Sequence, residues 1–184
     1  MPVWKYPVLR GIDPARTARA VIRDAPISSK ESYELCKVLK GMKLLEAERL
    51  LRDVIEQRVA IPFTSHNKKV GHRHALSDRW SRWKVASGRY PVKVATYVLK
   101  LLKNVENNAQ NKGLDVEKLR IVHIASHRGP YLKRYEPRAF GRSTPWFGSR
   151  TSIEVIVAEM GLSLIHISEP TRPLYISYAV FCLK

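Results

Sequence analysis

Two stretches of this sequence carry side chains suited to gripping a polyanion. Between Ser126 and Thr151 lie Arg128, Lys133, Arg134, Arg138, Arg142 and Arg150, opposed by a single acid, Glu136. They are interleaved with Tyr131, Tyr135, Phe140, Trp146 and Phe147, and with Gly129, Pro130, Pro137, Gly141, Pro145 and Gly148. An arginine fork can hold a phosphate through two parallel hydrogen bonds, and an aromatic ring can stack on an unpaired base. Like charges at this density repel and nothing apolar is left over for a core. The stretch is therefore expected not to fold on itself and to become ordered only when phosphates neutralise it. The second stretch, Thr64 to Tyr90, has Lys68, Lys69, Arg73, Arg79, Arg82, Lys84 and Arg89 against one acid, Asp78, with Trp80, Trp83 and Tyr90 among them. It reads the same way.

His66, His72 and His74 near Asp78 raise the question of a metal-dependent nuclease. A catalytic zinc site needs ligands fixed on a rigid element with an acidic base beside them. This loop is basic and nearly free of acids, so its imidazoles are expected to meet phosphate or bases. His123 falls in a strand pattern and reads as a core or interface histidine. No glycine-rich phosphate cradle, nucleophile elbow or paired-carboxylate arrangement occurs, and nothing in the residues argues for catalysis, a metal or a cofactor.

The elements that must carry these stretches follow from apolar spacing. Ala18, Ala20 and Ile22 alternate with Arg19, Val21 and Arg23, which predicts a half-buried strand over 16–25 ending at Pro26. Ser28 and Glu31 have the spacing of a capping box. A helix is expected after them, with its stripe at Leu35, Val38, Leu39 and Met42. Gly41 separates it from a second helix with the stripe Ala47, Leu50, Leu51, Val54 and Ile55. Pro91 opens a third with Val94, Val98, Leu101, Leu102 and Val105, stopped by Gly113. Strands are expected over Leu119–Ala125 and Ser152–Ala158. They leave 26 residues between them, far more than the roughly two to five of an ordinary hairpin connection.

The chain has 184 residues, 45% of them hydrophobic, and 33 Lys and Arg against 16 Asp and Glu, a formal charge of +17. That is room for one ordinary domain plus an extension, with material for a real core, and the charge makes a polyanion the expected partner. No run approaches the roughly 20 apolar residues of a membrane span, and Met1 to Arg10 lacks the apolar segment of a secretory signal. A cytoplasmic protein is expected. Two cysteines, Cys36 and Cys182, are too few for a disulfide framework or a zinc site, and Cys36 reads as core. Residues 1–15 read as an irregular arm and residues 16–161 as a single domain that includes the hairpin 126–151. Residues 162–184 (LSLIHISEPTRPLYISYAVFCLK) change character abruptly and resemble translated sequencing-adapter read-through. They read as a non-native tail and are excluded from the functional argument.

Several separated blocks are familiar: GMKLLEAERLLRDVI, AIPF at Ala60 to Phe63, HNKKVGHR at His66 to Arg73, GRYPVKVATYVLKLLKNVENNA from Gly88, KGLDVEKLRIVHI from Lys112, then YEPRAFGRSTPW and TSIEVIVAE. Together they resemble the L-twenty-two family of large-subunit ribosomal proteins, called L-seventeen in eukaryotes, over roughly Arg16 to Glu159. The tryptophan-bearing insertion between GHR and GRYP resembles the archaeal form. The resemblance implies an α+β fold, three helices packed on a three-stranded antiparallel sheet, with a long extended β-hairpin. It implies a structural role in binding large-subunit rRNA, with the hairpin lining the peptide exit tunnel. Its partners would be rRNA, neighbouring large-subunit proteins at the tunnel exit and, transiently, the nascent peptide, with no membrane, cofactor or homo-oligomer. The family's hairpin tip falls on Lys133, Arg134, Pro137, Arg138, Ala139, Gly141 and Arg142, and its globular contact on Gly88, Arg89, Tyr90, Pro91 and Lys93. The rRNA-binding set expected from charge, rings and resemblance is thus Lys68, Lys69, His72, Arg73, Arg79, Arg82, Lys84, Arg89, Tyr90, Lys93, Arg128, Lys133, Arg134, Arg138, Arg142, Trp146 and Arg150.

Overall fold

The computed structural model describes residues 4–8, 12–74 and 76–160. The residues read above as a non-native tail, 162–184, lie outside them. Strand β1 is Thr17–Ala25, followed by helices α1 (Ser29–Leu39) and α2 (Leu44–Ile55). The two-residue strands β2 (Ile61–Pro62) and β3 (Gly88–Arg89) bracket a single-turn helix, α3 (Leu76–Arg79). Helix α4 (Val92–Gln110) leads to β4 (Leu119–Leu132), β5 (Tyr135–Pro137), β6 (Ser143–Pro145) and β7 (Gly148–Glu159).

The main sheet is antiparallel, ordered β1-β7-β4. Ile153, Val155 and Val157 of the central strand face the helices together with Ala18, Ala20, Ile121 and Ile124. A register shift between Ile121 and His123 lets β4 keep both isoleucines on that face. The expected helical stripes are the buried ones, with Met42 and Ile55 half-buried at the margins. Helix α4 packs on β1 and α2, and α1 packs on β4. Gly41, at φ +88°, makes the turn between α1 and α2. That turn is stitched to the sheet by Gly41 N–H to Ile121 O (2.8 Å) and Ile121 N–H to Met42 O (2.9 Å). Burial pushes the Cys36 thiol up to about 12, the behaviour of a core cysteine.

Four sequence expectations change. Ser28 holds the N-cap position of α1 without a capping bond from its hydroxyl; its carbonyl instead accepts both the Ser32 amide (3.0 Å) and the Ser32 hydroxyl (2.7 Å). Pro91 is the N-cap of α4 rather than its first helical residue. A fourth, single-turn helix lies within the 64–90 stretch, and a small two-stranded sheet closes its two ends by pairing Ile61–Pro62 with Gly88–Arg89. Above all, the hairpin is paired as the extended β-hairpin that the resemblance implies, although its charge alone argued that it could not fold on itself. The β4–β7 ladder continues to Leu132 and Gly148, and β5–β6 extends it through Tyr135 with Pro145 and Pro137 with Ser143. A two-stranded ribbon satisfies its backbone groups across the ladder and needs no apolar core to do so, while its charges point into solvent.

One core-facing group is poorly served. Glu48 of α2 is buried, its Oε1 has no hydrogen-bond partner, and its Oε2 lies 3.6 Å from Arg52 Nη2. Burial, with Glu106 nearby, pushes its carboxyl above the ordinary range despite Arg52 and Lys103. Glu48→Met is expected to raise stability at pH 7 by about 1 kcal/mol, read from the denaturant midpoint. Because the carboxyl is shifted upward, its penalty fades as pH falls, and the gain should shrink in acid.

Candidate nucleic-acid interface

The candidate interface is built from three separate segments that the fold brings together. The first is the turn from Pro26 into α1, the second the start of α4, and the third the root of the ribbon. They enclose a cleft of about 490 Å³ lined by Pro26, Ile27, Ser28, Glu31, Lys93, Val94, Leu132, Arg134, Trp146, Phe147, Gly148, Ser149 and Arg150. Lys93 of the globular end thus lines the same cleft as Arg134, Trp146 and Arg150 of the hairpin. Trp146 is 66% and Phe147 44% exposed. The Phe147 ring stands edge-on to Tyr135 at 5.8 Å, and the Trp146 amide donates to Arg134 O at 2.6 Å. Arg150 Nη1 lies 3.4 Å from Asp24 O, tying the ribbon root to β1. Asp24 in turn approaches Gly129 so closely that a Cβ there would lie 2.8 Å from Asp24 Oδ1.

A neighbouring depression of about 340 Å³ shares Ser28 and Glu31 with this cleft and adds Lys30, Phe63, Ser65, His66, Lys68, Val70 and Arg89. It unites Lys68 with Arg89. Lys69, His72, Arg73, Arg79, Arg82 and Lys84 are all exposed along the 64–90 stretch. Arg73 lies 5.3 Å over the Tyr90 ring and Arg82 5.4 Å over the Trp83 ring. Trp80 and Trp83 themselves face inward. They pack on the core and on each other, and Trp80 Nε1 donates to Ala60 O (3.1 Å). The rings expected to stack on bases here instead hold the loop to the domain, because burying an indole is worth more than leaving it in water.

Beyond Arg134, which lines the first cleft, the tip stands apart from both hollows. Lys133, Arg134, Pro137, Arg138, Ala139, Gly141 and Arg142 are exposed. The chain reverses at Phe140 and Gly141, with φ +57° and +67°. Phe140 is 98% exposed. The Arg138 amide donates to Arg142 O (2.8 Å), and its Nε donates to Thr144 Oγ1 (3.1 Å) with Glu136 3.6 Å from Nη2. Arg128 projects from β4 near the root.

Two carboxylates that organise the surroundings escaped the sequence reading. Glu34 of α1 is fully buried and takes the whole start of the basic loop. Its Oε2 accepts from Thr64 N–H (3.0 Å) and Thr64 Oγ1 (3.1 Å), its Oε1 from the Ser65 and His66 amides (2.9 and 2.8 Å), with His66 Nδ1 at 3.1 Å. Burial pushes its carboxyl up, but these bonds outweigh burial and hold it below the ordinary carboxylate range. The only cue was an acid standing inside an apolar stripe. Glu154, on the outer face of β7, has the same character. It is buried beneath the N-terminal arm, accepting from Trp4 Nε1 (2.7 Å), with His123 Nε2 at 2.9 Å and His127 Nε2 at 3.2 Å. Burial again raises its carboxyl and the bonds from His123, Trp4 and His127 more than offset that. Arg23 and Arg19 lie 5.5 Å from the Trp4 and Tyr6 rings, so the arm covers the chain's own sheet.

Among the described residues no three His, Cys, Asp or Glu side chains converge as metal ligands, and no helix is long and apolar enough to cross a membrane. His66 is committed to Glu34, and His72 pairs through its backbone with Ser87.

Comparison with known proteins gives a consistent outcome. The large ribosomal subunit protein uL22 of Ignicoccus hospitalis is 52% identical over 161 residues, covering 87% of this chain and 99% of that protein. The protein of the same description from Sulfurisphaera tokodaii is 49% identical over 160 residues, 87% of this chain and all of its own length. That from Archaeoglobus fulgidus is 48% identical over 144 residues, 78% of this chain and 89% of its own. The family profile described as ribosomal protein L22p/L17e matches residues 20–158, from the first strand through the ribbon to the end of the sheet, and the chain belongs to that family, in its archaeal type.

Proposed function

We propose that the chain is a structural component of the large ribosomal subunit. In this reading it binds large-subunit rRNA, supports subunit assembly and lines the peptide exit tunnel with its ribbon. The family is one of structural ribosomal proteins rather than enzymes. The observation that carries the reading is the ribbon itself, with six exposed or half-exposed cations, one acid and five rings on a two-stranded arm that has no core of its own. Such an arm has no use in isolation and suits insertion among phosphates. About a dozen residues at roughly 3.3 Å each put its tip on the order of 40 Å from the domain. Neighbouring large-subunit proteins and, transiently, the nascent peptide are the remaining partners in this proposal, and the cytoplasmic ribosome is the place of action.

The test divides the two ends. Replacing Arg89 and Lys93 together is expected to weaken binding to a large-subunit rRNA fragment and to flatten its salt dependence, by up to about one counterion per lost phosphate contact. Replacing Arg138 and Arg142 is expected to leave docking of the domain largely intact while disturbing the tunnel wall, read by chemical probing of assembled subunits. Equal losses of affinity and equal slope changes in the two double variants would contradict this division.

A further inference from the structure

We propose that the cleft at the ribbon root is a docking site for one unpaired RNA nucleotide, its base against Trp146 and Phe147 and its phosphate against Lys93, Arg134 and Arg150. The proposal rests on the reading that the chain binds RNA, and adds where and in what form.

Four observations converge. The cleft is concave and, at about 490 Å³, falls in the size range of sites for small organic ligands. Two large rings line it while remaining 66% and 44% exposed. A monomer gains nothing by holding rings out in this way, whereas base stacking uses both faces of such a surface. Three cations line the same hollow against one acid, Glu31, and Arg150 is already positioned by its contact with Asp24. Finally, the cleft is formed at the starts of α1 and α4, whose N-caps, Ser28 and Pro91, contribute no side-chain capping bond. The positive ends of both helices reinforce the lysine and arginine charges.

The shape selects the form of the RNA. In an A-form duplex the bases are stacked inside and only their edges and the backbone are reachable. A row of phosphates would call for cations on a convex surface without rings. A hollow with rings on its wall and cations beside it takes a base that has left its stack. Ribose and phosphate then lie toward Lys93 and the arginines. A free nucleotide shares this chemistry, so the experiment separates it from RNA.

The full chain would be titrated with a mixed-sequence single-stranded RNA hexamer, with the same hexamer annealed to its complement, and with adenosine monophosphate, while tryptophan emission is followed. The hexamer is expected to quench emission and the duplex to bind without quenching. Trp146→Phe should remove the quenching yet keep the affinity, since a ring remains. Trp146→Ala should weaken hexamer binding about tenfold, and because this side chain is mostly solvent-exposed the variant's thermal unfolding should match the wild type. Quenching that persists in Trp146→Phe, an unchanged hexamer affinity in Trp146→Ala, or equal quenching by the duplex would each overturn the proposal. Tighter binding of the mononucleotide than of the hexamer would assign the cleft to a free nucleotide and overturn it as an RNA site. Binding of the wild type to a large-subunit rRNA fragment is measured alongside. If that binding is present while the cleft variants behave as wild type, only the cleft assignment fails; if it is absent, the reading of the chain as an rRNA-binding protein fails.

Discussion

Gly88→Ala is expected to lower the stability of the protein by about 2–3 kcal/mol, the cost of forcing an extra methyl into a closed site. A Cβ at this position would lie 2.6 Å from Ile61 O and 2.6 Å from Leu76 Cδ2. The leucine methyl can swing aside, but the carbonyl belongs to the β2–β3 pairing of Ile61 with Arg89 and Pro62 with Gly88 and cannot retreat without breaking it. The damage should therefore be centred on the 61–89 region, which carries Lys68, Arg73 and Arg89. For a chain of this size the loss corresponds to a fall in melting temperature of roughly 5–10 °C. Gly71 provides the control. Its carbonyl accepts from Gly88 N–H at 3.3 Å, yet a Cβ on it meets nothing within 4 Å and its φ is not positive. Gly71→Ala should leave the melting temperature within about 1 °C of wild type, as surface changes usually do. Equal melting temperatures for the two variants would mean that the close approach at Gly88 is absent in solution.

Removing the Glu34 carboxylate is expected to cost a comparable amount, on the order of 3 kcal/mol for Glu34→Ala, because buried donors are left without an acceptor. Three consecutive amides and two side chains converge on it. One of these, the Thr64 hydroxyl, is itself held by Lys37 Nζ at 2.6 Å. Glutamine is a poor substitute, since its amide nitrogen would present a donor to donors. The pH dependence has a definite sign. Burial alone would raise the carboxyl, but the bonds to it win and its folded-state value is depressed. Its contribution is thus present above the ordinary carboxylate value near 4.3 and is lost as pH falls through the lower folded value. Glu154, depressed in the same direction, adds to the same acid slope. Denaturant midpoints measured from pH 7 to pH 3 should fall less steeply in Glu34→Gln than in the wild type. Parallel slopes would show that this carboxylate titrates alike in the folded and unfolded chain.

Which parts of this architecture were legible in the residues follows from what holds each part together. The first strand, the three helical stripes and the last strand are ordered by burial, and burial leaves a period of 2 or 3.6 in the sequence. The ribbon is ordered by its backbone ladder and by a ring pair, Tyr135 with Phe147, neither of which leaves a period, so the family resemblance implied a β-hairpin where charge repulsion argued against folding. Trp80 and Trp83 were assigned to bases because a ring in a basic loop looks the same whether it faces inward or outward; only the Ala60 carbonyl decided it. The basic residues were legible one by one. That Lys93 and Arg150 share one cleft was not, because their proximity is created by β7 returning beside β1 and α4 and has no local signature. Glu34 and Glu154 were hidden for a related reason, since their partners lie about 30 and, for Trp4, 150 positions away.

The central strand of the sheet is also its last to be made. Among the described residues, strand β1, complete by Ala25, has β7 as its one neighbour in the sheet, and Thr17 pairs with Ala158. During synthesis, β1 and the apolar faces of α1, α2 and α4 are all out before the strand that closes them exists, so the sheet can form only after some 130 residues of waiting. The long basic ribbon is made immediately before that strand and is the turn that delivers it. A chain truncated ahead of β7 should consequently remain an open, aggregation-prone collection of helices.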